Sequence, residues 1–355
     1  MPVDQNDPLH AIAPDAAPIF ARAARADARA EQRLDAAIED FFLSARDRLD
    51  DRTRAALHAA IGTLLETIER ELAAHATRLL ARAGGGIVTA EPAETLRRLI
   101  EAGLLRDPEL MAEMIGQVRL ALLGATLMAN REPGTPATLL PRLAQGEDAV
   151  RAAAARDYIL ADGRRDAMAG RGLGLPAALH RRVVWWVAAA LREARAGKAD
   201  QALVEAAVRS IDAHDEGARL DPIALRLAAA IDARADELPE LLIEALGDGR
   251  AEFAAALIAY VQRIDLPEAR ALLLDPDGDR LWLVLRAHGF AREALARVAL
   301  LLADADPRRD IEAFADMLDT IAAIPVLAAR EALAPLSLHG DFRRAIRALE
   351  RSRRA

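Results

Sequence analysis

Few residues in this chain could do chemistry. There are seven histidines and no cysteine, so disulfides, thiolate catalysis and thiolate-bound zinc are excluded. His180 lies on one helical stretch, and the doublet His214-Asp215 closes the next. Imidazoles with a neighbouring carboxylate can hold divalent metals and activate water for phosphate ester hydrolysis. His58, with Gly62 one helical turn on, could carry a phosphoryl group on its ring. Asp275-Pro276-Asp277-Gly278-Asp279 packs three carboxylates into five residues, which at first sight suits calcium.

Each pattern also has a plainer reading. The histidine set is that of an HD-type metal-dependent phosphohydrolase, which needs a further Asp. No such Asp stands out, and Ser210-Ile211-Asp212-Ala213 is polar for a buried metal-bearing helix. His214 then reads as a helix-end residue suited to the dipole, with Gly217 as the stop. A phosphotransfer site would place lysine just before the glycine. Here that residue is Ile61, and His58 falls on an apolar seam together with His75. An EF-hand needs glycine at its sixth position and a bidentate glutamate at its twelfth. Counted from Asp275 these are Arg280 and Arg286, so Asp279 is expected to cap the helix that follows. The runs Gly84–Gly86 and Gly170–Gly174 follow no strand and match no phosphate-binding loop. No pair of glutamates stands apart from solvated helix faces. Trp185, Trp186 and Trp282 are conspicuous in a chain with only 3% aromatic residues. They are candidate packing or interface anchors.

The elements that must position these residues are helices. Apolar residues make up 53% of the 355, and with so few aromatics the core must be Ala, Leu, Val and Ile. Residues 1–14 are polar and proline-rich, and are expected to be disordered. Helices are expected over 16–30 and 31–44, and a long one over Asp51–Arg82. That helix has a regular seam of His58, Ile61, Leu65, Ile68, Leu72, His75 and Leu79, which suits a bundle or a homodimer through this helix. Asp107-Pro108 opens another helix that runs to about Met128. Asn130–Pro136 reads as a linker, so 15–130 is expected to be an N-terminal helical bundle and 137–355 an array of short helices. A helix over Glu147–Leu160 is expected to give way to a glycine-rich loop over Asp162–Leu175. Pro176 opens the next, with Leu179, Val183, Trp186, Val187 and Leu191 on its core face. Beyond Leu238 the helices are short and punctuated by Asp, Gly and Pro, so they must stack to bury their faces. Ile264-Asp265-Leu266 and His288-Gly289-Phe290 interrupt this part alike, as a degenerate repeat of a HEAT-like stack would.

Charge narrows the partners. The formal net charge is −8, which argues against nucleic acid. The arginine-rich tail from Arg343 to Arg354 reads as the solvated face of a terminal helix. The N-terminus carries Asp and Pro where a secretion signal would be basic and then apolar. No run approaches the ~18 consecutive apolar residues of a membrane span. A cytoplasmic protein without a cofactor, acting on a protein partner, is the expectation.

Three segments carry a family resemblance: LLIEALGDG at Leu241–Gly249, RIDLPEARALL at Arg263–Leu273 and GDRLWLVLRAHGF at Gly278–Phe290. With WWVAAALREA and HDEGARL upstream, they make the chain resemble bacterial proteins that carry the domain of unknown function 2336. The resemblance implies a helical, HEAT-like fold and no established activity, so it brings no catalytic residues. The expectation is an all-α, non-catalytic protein–protein interaction module, such as a regulatory adaptor. An HD-type phosphohydrolase using His180, His214 and Asp215 is the first alternative. A phosphorelay partner using His58 is the second.

Overall fold

A computed structural model describes residues 49–82, 86–132, 134, 138–167, 174–193, 199–339, 342–343, 345–346 and 349. The expected disordered N-terminus, the helices over 16–30 and 31–44, most of both glycine runs and most of the arginine tail lie outside these residues. Among the described residues all regular structure is helical, so the fold is all-α. The α-helices are α1 Asp51–Arg82, α2 Pro92–Glu101, α3 Pro108–Ala129, α4 Leu139–Ala144, α5 Ala149–Ala167, α6 Ala177–Glu193, α7 Asp200–Asp212 and α8 Leu220–Ile231. They continue as α9 Leu238–Gly247, α10 Ala251–Gln262, α11 Leu266–Leu274, α12 Asp279–Ala287, α13 Arg292–Ala305, α14 Ile311–Ala323 and α15 Val326–Ala332.

Local chemistry sets many of the ends. Asp107 caps α3 by accepting from the Leu110 amide at 2.9 Å, with Pro108 in the first turn. Asp265 does the same for α11 and Asp310 for α14. Asp279 is not the cap expected of it. Gly278 holds that position at φ 68°, and Asp279 begins the helix.

The core is centred on α10. Ala251 to Ala259 are all buried, because α3, α8, α9 and α11 pack around this helix. Alanine on every side lets those neighbours approach closely, and Phe253 fills the space that alanine leaves. The closest approach lies between α3 and the turn after α9. A Cβ on Gly124 would stand 2.8 Å from the Gly249 carbonyl oxygen, and one on Gly249 would stand 2.9 Å from that of Gly124. Alone among the described helices, α3 has the length and composition to cross a membrane. Here it packs against α1, α9, α10, α11 and α13, and it carries the buried polar pair Glu113 and Gln117.

Two expectations change, and a third feature fits the bundle alternative given for it. First, Asn130–Pro136 does not separate two bodies, since Asp51–Ala355 is one compact unit. The buried Asp248 carboxylate pairs with Arg131 and accepts from the Thr138 and Leu139 amides at 2.8 Å each, tying down both sides of the segment. Second, α5 continues to Ala167, into the first residues of the region expected to be loop. A single glycine inside a helix costs only about 1 kcal/mol, and Asp162 is held by an ion pair to Arg250 at the start of α10. Third, the α1 seam is covered by α2, α3, α6 and α7. Leu64, Leu65, Ile68 and Leu72 are buried there, whereas His58 is exposed. The regular seam is thus explained within one chain.

The repeated interruptions after α10 and α12 are one motif. After α10, the Ile264 amide donates to Ala259 O and the Arg263 amide to Tyr260 O. After α12, Phe290 donates to Leu285 O and Gly289 to Arg286 O. After α9, Arg250 donates to Ala245 O and Gly249 to Leu246 O. Each is a Schellman ending, which needs a left-handed residue. Glycine fills that place at 249 and 289, and arginine fills it at 263 with φ 56°.

Candidate functional site

The structure brings His180 and His214 together but not as a metal site. Their rings stack with centroids 4.1 Å apart and planes 11° from parallel. Imidazole lone pairs lie in the ring plane, so two parallel rings direct them side by side rather than at one ion. His214 Nε2 meets Leu175 O at 3.0 Å, while His180 Nε2 is buried without a hydrogen bond. Burial, and then the neighbouring His214, push the His180 pKa down to about 4, against a bond to the Ser210 backbone. Asp215 is exposed, at the start of the turn over Glu216–Ala218. Among the described residues no group of three or more His, Asp or Glu could hold a metal, and this includes the aspartates at 275–279.

The tryptophans divide. Trp282 is buried against Phe314 at 4.5 Å and beneath Gly278. Trp186, expected in the core of α6, is half-buried, because Val184 and Ala188 take that face with Val183 and Val187. Trp185 is 38% exposed, as an interface anchor would be.

A buried charge cluster was not foreseen. Arg270 of α11, 2% exposed, donates to Glu252 of α10 at 2.8 Å and to Glu113 of α3 at 3.1 Å, and it also pairs with Asp221 of α8. Arg219 pairs with Asp221 at 2.6 Å and reaches Glu113 at 3.4 Å. Gln117 donates to both Glu113 and Gly174 O. Burial alone would lower the Arg270 pKa, but Glu252, Asp221 and Glu113 outweigh it and raise it. The cluster ties four helices together and keeps Arg270 charged. Its sequence signal was slight: Glu252 and Arg270 each stand at the head of an apolar run.

A concave feature with convergent polar groups lies where α8, α10 and α12 end. Here a recess of about 530 Å³ is lined by Leu225, Leu238 and Ile264 and by Ala233, Ala235 and Ala259. Asp232, Tyr260, Arg263 and His288 bring polar groups to it. The Tyr260 hydroxyl donates to Asp232 Oδ1 at 2.8 Å. That bond, together with burial and the Asp232 charge, raises the Tyr260 pKa, and Arg263 acts the other way. His288 faces Gln262 Oε1 at 3.1 Å, and burial, then Arg330, lower its pKa. Asp232 and Arg263 are also the two non-glycine residues with positive φ among those described, at 46° and 56°. Left-handed backbone costs a side-chain-bearing residue roughly 1–2 kcal/mol, and such strain gathers at functional sites.

No family model, curated protein or solved structure matches this chain.

Proposed function

We propose that the protein is a non-catalytic protein-binding module, a regulatory adaptor of the cytoplasm that binds its partner through the recess at the ends of α8, α10 and α12. On this reading the short helices form a HEAT-like stack, and the resemblance to proteins with the domain of unknown function 2336 belongs to the same picture. One observation carries it: both strained non-glycine residues border a half-apolar recess of about 530 Å³, a size and lining that suit a bound group. The phosphohydrolase alternative lacks a convergent ligand set, and nothing singles out His58 beyond its exposure.

The test is capture of partners from the native cell with wild-type protein and with Tyr260→Ala side by side. A partner held by the wild type and released by the variant supports the reading. Partners held equally by both would overturn it. Adding chelator to the same capture separates a metal enzyme from an adaptor, because an adaptor's partner stays bound.

A further inference from the structure

The recess has an asymmetry of charge that a general apolar groove would not need. Asp232, at the end of α8, supplies a carboxylate that accepts one hydrogen bond from Tyr260. Arg263, at the end of α10, supplies a guanidinium that makes no ion pair within 4 Å among the described residues. Arginines nearby are differently engaged: Arg270 is ion-paired, while Arg286 and Arg330 bind carbonyl oxygens. Tyr260 feels both charges. The same recess is lined by the apolar side chains of Leu225, Leu238 and Ile264.

Arg263 is the informative residue. The same Schellman ending uses glycine after α9 and after α12. Glycine at 263 would remove the left-handed strain, so the arginine side chain is placed there against the local backbone preference. It is also exposed and free to meet an acid.

Resting on the reading of the recess as a partner-binding surface, we propose that it takes a protein segment in which an apolar side chain is flanked by a cationic side chain and a carboxylate. Asp232 receives the cation, Arg263 receives the carboxylate, and the apolar side chain enters between Leu225, Leu238 and Ile264. A segment with two acids meets Asp232, and one with two bases meets Arg263, so like charges are rejected at one end.

The experiment uses labelled, end-capped peptides and fluorescence anisotropy on the full chain. The probes carry leucine flanked by lysine and glutamate, by two lysines or by two glutamates, and a fourth carries serine between lysine and glutamate. The lysine–leucine–glutamate probe should bind about tenfold tighter than either like-charged probe, which loses one exposed pair and gains one like-charge contact. The serine probe should bind more weakly still. Arg263→Gly and Asp232→Asn both suit left-handed backbone, so each variant should keep its fold. Arg263→Gly should abolish the preference over the two-lysine probe, and Asp232→Asn the preference over the two-glutamate probe. Equal binding of all leucine probes, blocked by filling the recess with Ala235→Trp, would overturn the charge assignment and leave the recess as a binding surface. Leucine-probe binding that Ala235→Trp leaves unchanged would overturn both. No binding up to about 5 mM, a free energy near 3 kcal/mol, would overturn the peptide assignment, and the Tyr260→Ala capture then decides the recess.

Discussion

Replacing Arg270 by methionine should be the most damaging single change of a polar residue in the core. Methionine keeps much of the stem volume, so the loss isolates the charge. Arg270 is 2% exposed and touches Glu113, Asp221 and Glu252. Without it, Arg219 still engages Glu113 and Asp221, but Glu252 loses its charged contact with Arg270. Removing one member of a buried ion pair costs about 3–5 kcal/mol, because the remaining charge stays buried. That is a large part of the 5–15 kcal/mol stability typical of folded domains. The direction with pH is distinctive. A buried carboxylate that has lost a cationic neighbour takes up a proton more readily than a solvated one. Native Arg270→Met therefore binds more protons than its unfolded chain near pH 5, and part of the loss is recovered as pH falls. Urea unfolding followed by circular dichroism at pH 7 and pH 5 measures both effects. Adding Glu252→Gln to Arg270→Met should restore at least 1 kcal/mol, a coupling expected of residues in contact. A loss below about 1 kcal/mol at pH 7, with no recovery at pH 5, would refute the view that this cluster holds the four helices by charge.

The other predictions concern the histidine stack, the turns and the tryptophans. The His180 pKa stands near 4 in the fold against 6.5 unfolded. Between those values the unfolded chain binds the extra proton. The contribution of neutral His180 is complete above pH 6.5 and is lost as pH falls towards 4, by roughly 3 kcal/mol at 1.36 kcal/mol per unit. His180→Phe keeps a flat ring in the stack and should flatten that part of the stability–pH curve. An unchanged slope would show that the slope arises elsewhere. Gly278→Ala should cost roughly 3 kcal/mol, since its Cβ would meet Trp282 Nε1 at 2.8 Å on a backbone with φ 68°. Gly289→Ala has open space at φ 84° and should cost only about 1 kcal/mol. Equal losses in thermal melts would remove the steric account. Trp282→Ala should cost about 3–5 kcal/mol. Trp185→Ala should stay below about 1 kcal/mol, and a greater loss there would mean that Trp185 supports the fold rather than an interface.

The sequence by itself determined what depends on neighbours along the chain. Asp107-Pro108 and Asp265-Leu266-Pro267 mark helix starts because the cap carboxylate and the proline act within one turn. The bounds Asp51–Arg82 follow from periodicity alone, and the all-α class follows from composition and pattern. The apolar stripe of α1 was legible as well. What covers it was not, because a stripe buried by α7 and one buried by a second copy obey the same spacing. Tertiary structure decided the remainder. α5 runs through Gly163 because its packing and the Asp162–Arg250 pair outweigh a local propensity loss of about 1 kcal/mol. Glu113, Asp221, Glu252 and Arg270 come from four helices, and their burial follows only when those helices meet around α10. His180 and His214 did come together as their sequence pattern hinted, but the crossing of α6 and α7 made them a stack rather than a ligand set. The recess was hidden for the same reason. Nothing local marks Arg263 as left-handed, and only the ends of three helices, brought side by side, make a cavity of its surroundings.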